Sequence, residues 1–370
     1  MLTAVGVELQ RSLSSIDFNG RPSVLLAVSG GSDSIGLLTA YSEFGADLPK
    51  AIVCTVDHQL RVESADEAEG VAEYCTKLGV RHVTKRWDGS NHTPGTMSAA
   101  REARYHLLSE AANEAGTDLV LVAHTLDDQR ELFAMRSARN DSGGVGLAGM
   151  APASLYDGRT WFARPFLQHR RVGIREYLLS KATSWIDDPT NDDQNYERSR
   201  VRRSFSSLDF AVVDQRMKDA SAKRFQRAAA AAELICDEDF FLMRKGPVDA
   251  CGRWPNCAVL NSRYHEVRCS TVDAVEYISR VFAARRYPLS QDRWQMLQTF
   301  LTGRGHAALT LGGCVFQHCH GYVNIRNDPR NFRAAAFPPI TPLFDWPTYC
   351  ALKLRLGDTR PSPPPIQRLK

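Results

Sequence analysis

Residues 23–38 constrain the fold more than any other part of the chain. They begin with an all-apolar run, residues 24–28, whose length suits a central strand of a parallel sheet that is covered on both faces. Gly30 and Gly31 interrupt this run, and an apolar helical pattern follows over residues 33–38. Because the N–H groups and the positive dipole end of a helix N-terminus attract anions, this order of elements predicts a phosphate site in an α/β fold.

Two later apolar runs also end in polar side chains. Residues 51–56 form a strand pattern that is followed by Asp57 and His58, and residues 119–123 form another that is followed by His124. The carboxyl ends of neighbouring parallel strands meet at one rim of an open sheet, which is where ligands of such sheets bind. The three strand ends therefore predict one shared pocket.

An acidic group follows His124 directly. If a helix begins near this residue, His124, Asp128 and Glu131 recur at i, i+4 and i+7 on one face, with Asp127 beside them. Such a group can bind magnesium, recognise an ammonium group or transfer protons. The alternative is structural, since carboxylates in the first turn of a helix stabilise its dipole. We favour a functional role because this group and the glycine turn follow strands of the same predicted sheet.

A helical pattern over residues 96–115 places Arg101 and Arg104 three residues apart, on one face of the helix. Salt bridges to neighbouring helices are the ordinary explanation for such a pair. The alternative is that one guanidinium reaches the phosphates of a nucleotide, which it can bind through two parallel hydrogen bonds. The spacing leaves both interpretations open.

The positive charge of the chain is concentrated in one region. The net charge of the 370 residues is only +4, but residues 159–227 hold 15 Lys and Arg against 9 Asp and Glu. This local excess is either a solvated face or the footprint of a phosphate backbone. No apolar run is long enough for a membrane span and the first residues lack a signal-peptide core, so we expect a cytoplasmic protein with no membrane partner.

The cysteines and histidines predict no structural metal. Nine cysteines are scattered along the chain without a Cys-x-x-Cys pair. Cys314, His318, Cys319 and His320 match no standard zinc spacing, and the alternation of a β-strand would turn Cys319 away from the two histidines.

Three segments are predicted along the chain. Residues 1–205 carry the alternating strands and helices of an α/β domain. Residues 206–335 begin with an Ala-rich helical pattern over residues 208–243 and continue as short mixed elements, which predicts a helical and small α+β domain. Residues 336–370 are rich in proline and are predicted to be extended or disordered.

The glycine turn reads Ser-Gly-Gly-Ser-Asp-Ser over residues 29–34. It lacks the lysine of the common nucleotide phosphate loop and the third glycine of the dinucleotide fingerprint, and it resembles the loop of the N-type ATP pyrophosphatases, the PP-loop superfamily. The tRNA(Ile)-lysidine synthetases of that superfamily have similar blocks in the same order, here at residues 57–61, 100–105, 124–131, 146–150, 164–165, 185–191 and 198–202. The chain resembles this family over about residues 20–205, although Ser199 stands where its motif usually has asparagine.

The resemblance implies a Rossmann-like parallel sheet with an ATP site at its rim. The residues that it implies for ATP binding are Ser29, Gly30, Gly31, Ser32, Asp33, Ser34, Asp57 and His58. Asp33 is the carboxylate nearest to the phosphates, and the resemblance therefore gives it the role of Mg²⁺ ligand.

The catalytic residues implied by the resemblance are Asp33, Arg104, His124, Asp127, Asp128, Glu131 and Arg202. Asp128 and Glu131 are expected to hold the substrate amine. His124 or Asp127 is expected to assist the removal of its proton, because a protonated amine is no nucleophile. The two arginines are expected to face phosphate or developing negative charge.

The implied reaction is the ligation of free L-lysine to C2 of the wobble cytidine of an isoleucine tRNA with a CAU anticodon. ATP, with Mg²⁺, would adenylate O2 of the cytidine with release of diphosphate, and the ε-amine of lysine would then displace AMP to give lysidine. Three alternatives stay open: a tRNA thiolase, a small-molecule amide ligase of the kind that makes asparagine or NAD, and a non-catalytic RNA-binding protein. Cysteine pairs for an iron–sulfur cluster, which some thiolases need, are absent from the sequence.

Overall fold

The computed structural model of the chain describes residues 3–59, 64–87, 97–138, 146–187, 209–237, 241–243, 257–261, 267–283, 285, 288–303, 307–319, 322–328, 330, 340–355 and 363–365. The chain divides into two compact units. The first comprises Met1–Asn140, Gly149–Gln215 and Pro363–Lys370, and the second comprises Asp141–Ala148 and Arg216–Ser362. The predicted domain boundaries at residues 205 and 335 lie outside the described residues and stay predictions.

Strands and helices alternate along the first unit. Its helices are α1 (Ala4–Ser14), α2 (Ser32–Phe44), α3 (Ser64–Lys77), α4 (Met97–Glu114), α5 (Leu126–Ala138) and α6 (Arg171–Ser180). Its strands are β1 (Ser23–Ala27), β2 (Lys50–Asp57), β3 (Arg81–Arg86), β4 (Leu119–Val122), β5 (Ala153–Tyr156) and β6 (Thr160–Ala163). Helix α7 (Phe210–Cys236) begins in this unit and ends in the second.

The strands of the first unit pair in the order β5-β6-β4-β1-β2-β3. The strands from β6 to β3 in this order are parallel, and β5 is antiparallel to β6. Strand β1 lies in the middle because it is apolar on both faces, and Leu25 and Leu26 are fully buried. This mostly parallel sheet, with helices between its strands, confirms the predicted α/β fold class.

The strand order reverses between β1 and β4. From β1 the chain proceeds outward to β2 and β3, and it then returns to β4 on the other side of β1, where Ala27 pairs with Val122. In open parallel sheets a crevice forms at such a reversal, beside the carboxyl ends of the two strands. The fold therefore brings the segments that follow β1 and β4 together, as the sequence predicted.

The hairpin of β5 and β6 is absent from the sequence-based prediction. Each strand has only four residues, so neither produces a clear alternation of apolar and polar side chains. Three residues, 157–159, connect the strands, and the N–H of Arg159 donates to the carbonyl of Tyr156. Asp157 and Gly158 have φ of 47° and 67°, and an Asp-Gly pair with positive φ at both positions is typical of tight hairpin turns. This dipeptide was the signal that could have revealed the hairpin.

Helix α2 packs against α6 at a glycine. A Cβ atom at Gly36 would lie 2.3 Å from Cγ2 of Ile174, which is itself fully buried. We expect Gly36→Ala to lower the free energy of unfolding by about 1–3 kcal/mol, because the two helices must separate to admit the methyl group. Urea unfolding followed by circular dichroism measures this effect.

The matched control is Gly70→Ala on α3, where nothing lies within 4 Å of the added Cβ. There the better helix propensity of alanine should raise stability by up to about 1 kcal/mol. Equal effects of the two substitutions would contradict a close contact between α2 and α6.

The second unit combines helices with an antiparallel sheet. Its helices after α7 are α8 (Cys269–Phe282), α9 (Gln291–Leu301) and α10 (Trp346–Arg355). Its strands are β7 (Phe241–Met243), β8 (Cys257–Asn261), β9 (Ala308–Leu311), β10 (Cys314–Cys319), β11 (Tyr322–Asn327) and β12 (Ile340–Pro342). Strands β7 to β11 pair in the order β7-β8-β11-β10-β9, and α8 is largely buried. This composition confirms the predicted helical and α+β character of the distal region.

Two predictions about the distal region are wrong. The Ala-rich helix ends at Cys236, and residues 241–243, which the helical pattern includes, form β7 because their backbone pairs with β8. The segment predicted to be an extended or disordered tail contains β12 and α10. Its prolines misled the prediction: Pro347 lies in the first turn of α10, where a missing N–H group costs the helix no hydrogen bond.

The part of the chain that the structure describes contains no helix long and apolar enough to cross a bilayer. In those same residues, no three His, Cys, Asp or Glu side chains are grouped as metal ligands. His318 has a packing role instead: its Nε2 lies 2.9 Å from the carbonyl oxygen of Phe300, and the two rings lie 4.4 Å apart. His320 lies outside the described residues.

Candidate active site

The turn after β1 forms a compact phosphate loop, residues 29–34. Gly30 has a φ of +89°, a conformation that L side chains rarely adopt. The Ser34 hydroxyl closes the turn, because its Oγ donates to the carbonyl of Gly31 at 2.9 Å and accepts from the N–H of Ser29 at 3.1 Å. Gly31 is the N-cap of α2, so the loop leads directly into a helix N-terminus that suits a phosphate. The loop residues predicted to bind ATP are therefore contiguous in space.

A short segment after α6 covers this loop. The N–H of Ile186 donates to the carbonyl of Gly30 at 3.0 Å, and a Cβ at Gly30 would lie 2.9 Å from the Ile186 side chain. Arg175 connects the two, since its Nε donates to Ser32 Oγ at 3.2 Å and its Nη2 lies 2.5 Å from Asp187 Oδ1. This segment belongs to the block at residues 185–191 that resembles the family, of which the structure describes residues 185–187.

Arg171, the first residue of α6, connects the phosphate loop with the acidic group after β4. Its Nε lies 2.8 Å from Oδ2 of Asp33, its Nη2 lies 3.5 Å from Oδ1 of Asp128, and its Nη1 lies 3.8 Å from Oε1 of Glu131. Each nitrogen of the guanidinium therefore faces a different carboxylate. This cluster, defined here as the carboxylate triad Asp33, Asp128 and Glu131 around Arg171, brings together three of the residues that the sequence selected.

The acidic residues of α5 have different partners. Asp128 closes the N-terminus of the helix, because its Oδ2 accepts from the N–H and the hydroxyl of Thr125 at 2.8 and 2.9 Å. Asp127 turns toward α6, where it accepts from the N–H of Arg171 at 2.7 Å and from Nε of Arg170 at 3.3 Å. The dipole-stabilising role considered for both carboxylates is therefore compatible with this geometry, and the catalytic role of Asp127 stays a prediction.

Burial strengthens the electrostatic interactions between Arg171 and the carboxylate triad. The Glu131 side chain is only 2% exposed and that of Asp128 is 12% exposed. Burial raises the pKa of Asp33, although Arg171 opposes this rise. Burial also works against the charge of Arg171, but Asp33 and Asp128 hold its pKa above the ordinary value. One guanidinium thus faces three carboxylates in a largely buried cluster.

The carboxyl end of β2 holds Asp57 and leads to His58, on which the charge of Arg104 acts. Asp57 is buried, and its Oδ1 accepts from the N–H of Gln59 at 2.9 Å. The ring of His58 lies edge-on to Trp87 at 5.9 Å. Burial and the positive charge of Arg104 lower the pKa of His58, so its ring is neutral at pH 7.

Two further predicted catalytic residues are His124 and Arg202. His124 follows β4 and is half-buried, and Arg202 lies outside the described residues.

A buried phenol lies between the arginines of α4 and Arg164. The hydroxyl of Tyr105 accepts from Nη2 of Arg164 at 3.2 Å and from Nη2 of Arg101 at 3.3 Å. Burial opposes ionisation of this phenol, but the charges of Arg164, Arg101 and Arg104 outweigh it and lower the pKa of Tyr105 to about 8. Arg101 therefore contacts a side chain of its own helix, and the two alternatives considered for it, a salt bridge to a neighbouring helix and a phosphate contact, stay predictions.

This low pKa predicts a pH-dependent contribution to stability. The phenol of Tyr105 loses its proton at lower pH in the folded protein than in the unfolded chain, so the unfolded state binds more protons between about pH 8 and 10. The free energy of unfolding of the wild type, relative to that of Tyr105→Phe, should therefore rise across this interval. Urea titrations of both proteins at pH 7, 8.5 and 10 measure the difference, and a constant difference would contradict the prediction.

Much of the basic excess over residues 159–227 is internal to the protein. Seven of its basic side chains contact acidic or other polar groups of the chain: Arg164, Arg170, Arg171, Arg175, Lys181, Arg224 and Arg227. The interpretation of the whole excess as a footprint for RNA is therefore too broad. Its remaining members include four arginines, at positions 198, 200, 202 and 203, that lie outside the described residues.

Sequence reasoning missed two arginines that organise the site. Arg171 is one, and Arg130 is the other: it is buried, pairs with Asp214 through two hydrogen bonds of 3.0 and 2.6 Å and lies over the ring of Phe210 at 4.2 Å. This contact anchors α5 at the residue that precedes Glu131. Neither residue belongs to a recognisable spacing, because both find their partners at distant positions in the sequence.

Comparison with known proteins identifies the family of the first part of the chain. Residues 3–208 match the PP-loop domain family. The tRNA(Ile)-lysidine synthase of Mesorhizobium japonicum is 42% identical over 236 residues, which cover 61% of this chain and 51% of that protein. That of Rhizobium meliloti is 48% identical over 191 residues, which cover 48% of this chain and 42% of that protein. The chain thus spans about half the length of the curated relatives that it matches.

Among solved structures, the U34-tRNA thiolase NcsA from Methanococcus maripaludis has a TM-score of 0.48 at 14% identity, with coverage of 58% of this chain and 78% of that one. The NH3-dependent NAD synthetase from Campylobacter jejuni has a TM-score of 0.34 at 12% identity, with coverage of 58% and 91%. The family match extends over more than half of the chain and includes the phosphate loop, β4 and the carboxylate triad. The chain therefore belongs to the PP-loop family.

Proposed function

We propose that this protein is a tRNA(Ile)-lysidine synthetase, an ATP-dependent ligase that joins free L-lysine to C2 of the wobble cytidine of an isoleucine tRNA with a CAU anticodon. The observation that carries the proposal is the carboxylate triad. It places Asp33 of the phosphate loop and the acidic residues of α5 around one guanidinium, with nitrogen–oxygen distances of 2.8 to 3.8 Å. A site for phosphates and a site for a cationic amine are thus adjacent, as a ligation with AMP as leaving group requires.

The phosphate side of the reaction belongs to residues 29–34. The triphosphate would lie on this loop at the N-terminus of α2, where backbone N–H groups stabilise the charge on the α-phosphate during attack by O2 of the cytidine. The donor set fits Mg²⁺, since this ion commonly takes one or two carboxylates together with phosphate oxygens and Asp33 is such a carboxylate. When bound there, Mg²⁺ would neutralise charge on the departing diphosphate.

The amine side belongs to α5. Lysine arrives with a protonated ε-amine, which the carboxylates of Asp128 and Glu131 would attract. The amine must lose its proton before it attacks C2 and displaces AMP, and His124 or Asp127 can assist this transfer. Arg104, whose charge already acts on His58, is available for the phosphates or for developing negative charge.

The RNA must present an unstacked base to this site. The wobble cytidine leaves its anticodon stack to reach the pocket, and a positively charged surface that holds the backbone offsets the cost of unstacking. We assign this role to Arg202, to the basic residues around it and to the distal unit. A tRNA-modifying enzyme of this kind works in the cytoplasm, where ATP, lysine and tRNA are present together.

The direct test incubates the protein with ATP, Mg²⁺, radiolabelled L-lysine and bulk tRNA. We expect the label to become acid-precipitable only when ATP and tRNA are both present, and to appear in lysidine after nuclease digestion. A tRNA whose CAU anticodon is changed to GAU is the matched control and should accept no label. AMP release without tRNA would indicate a small-molecule ligase, and tRNA binding without AMP release would indicate a non-catalytic RNA-binding protein. AMP release that requires tRNA but gives no labelled lysidine would favour a thiolase.

A further inference from the structure

The guanidinium of Arg171 is shared between two half-sites, which are the phosphate loop and the acidic N-terminal part of α5. Its Nε faces Asp33 on the phosphate loop, whereas Nη1 and Nη2 face Glu131 and Asp128 on α5. The Arg171 side chain is only 24% exposed, so solvent screens these contacts weakly. A planar fork of this kind serves several carboxylates at once, which a lysine ammonium cannot do with the same geometry.

Arg171 has more carboxylate partners than one positive charge can neutralise. Among the described residues, Arg171 lies near the three carboxylates of the triad, and Arg170 lies near Asp127. An incoming ammonium group would therefore compete with Arg171 for Asp128 and Glu131. How strongly Asp128 and Glu131 attract that cation depends on how much of Arg171 they hold.

A polyphosphate on residues 29–34 changes this distribution. A triphosphate still carries net negative charge when Mg²⁺ is bound to it, so it would bring negative charge to the Nε side of Arg171, beside Asp33, and would draw the guanidinium toward the phosphates. Asp128 and Glu131 are then left with less positive charge close to them. Because both carboxylates are largely buried, they compensate by binding an incoming ammonium group more tightly.

We propose that Arg171 couples nucleotide binding to amine binding, so that the amine site reaches its full affinity only when a nucleotide occupies the phosphate loop. This inference rests on the proposed function and adds an order of binding to it. By thermodynamic linkage, lysine must tighten nucleotide binding by the same factor. Arg171 acts here as a positioning residue, since it works through the carboxylates that contact the amine.

The test measures the affinity for L-lysine by titration calorimetry, with and without α,β-methylene-ATP and Mg²⁺. For the wild type we expect the Kd for lysine to fall about tenfold when the analogue is present, within the usual range of coupling between sites. In Arg171→Gln the two Kd values should agree within about twofold, and lysine should bind more tightly than to the analogue-free wild type, because the competing internal cation is gone.

The matched control is Arg170→Gln, which removes a neighbouring guanidinium that pairs with Asp127 alone among the four carboxylates. It should keep the tenfold ratio. Should Arg171→Gln fail to fold by circular dichroism, Arg171→Lys replaces it and should reduce the ratio to below about threefold, since a point charge cannot serve both half-sites.

Each remaining outcome decides the question. A wild-type ratio near one, or an unchanged ratio in Arg171→Gln, overturns the coupling while lysine binding itself still supports the proposed function. Absence of lysine binding to the wild type under both conditions contradicts the proposed function and the coupling together.

Discussion

Replacing Asp33 with alanine is expected to lower the rate of AMP release by about 100- to 1,000-fold, because the proposed ligand of the Mg²⁺ that would stabilise charge on the phosphates is removed. Asp33 is the carboxylate of the phosphate loop, and its side chain is only 18% exposed. The loop should still form, because the hydrogen bonds that close it belong to Ser34. Arg171 also keeps Asp128 and Glu131 as partners. Thin-layer separation of radiolabelled AMP from ATP measures the rate.

Binding of tRNA by Asp33→Ala should remain within about threefold of the wild type, because one carboxylate inside the site contributes little to the backbone contacts that dominate RNA affinity. Asp47→Ala is the matched control, since Asp47 belongs to a short helical turn of the same unit, outside the phosphate loop and α5. Equal losses of AMP release and tRNA binding would mean that Asp33 supports the structure of the loop and not its chemistry.

Glu131→Gln is expected to raise the KM for lysine about 10- to 100-fold, because hydrogen bonds to charged groups contribute about 1.5–3 kcal/mol. Glutamine keeps the size of the side chain and removes its charge, and Glu131 is nearly fully buried, so solvent cannot replace the lost attraction. Adenylation should persist, since the phosphate loop is untouched. Initial rates of lysine incorporation at saturating ATP measure the KM.

The control for this substitution is Glu69→Gln, at an exposed position of α3. It should leave both the KM for lysine and the AMP release rate unchanged. If the lysine dependence of Glu131→Gln matched that of the wild type, the amine site would have to be sought elsewhere along α5.

Local patterns sufficed to predict the elements that carry their own signal. β1 is an apolar run ended by Gly30 and Gly31, and the acidic spacing after β4 is the spacing of one helical face. Such features depend on neighbouring residues, and therefore the glycine turn after β1 and the acidic helix start after β4 could be predicted from the sequence alone.

Features that depend on distant partners were not accessible in this way. Arg171 stands in an ordinary basic run, and only the fold shows that its three nitrogens face Asp33, Asp128 and Glu131. The basic excess suggested too broad an RNA footprint for the same reason, because charge counts do not reveal which arginines already have acidic partners. The β5–β6 hairpin was not predicted for another reason: its four-residue strands are too short to show the alternation of apolar and polar side chains.

The adjacency of β1 and β4 has a consequence for biosynthesis. Leu25 pairs with Val120, so the two halves of the site come from stretches that leave the ribosome far apart in time. A nascent chain that ends before Leu119 can form the phosphate loop and pair β1 with β2, but it lacks β4 and the acidic residues of α5. Contacts between segments so far apart in the sequence form slowly during folding. Catalytic competence should thus emerge in a single late step of maturation, and truncated translation products should hydrolyse no nucleotide wastefully.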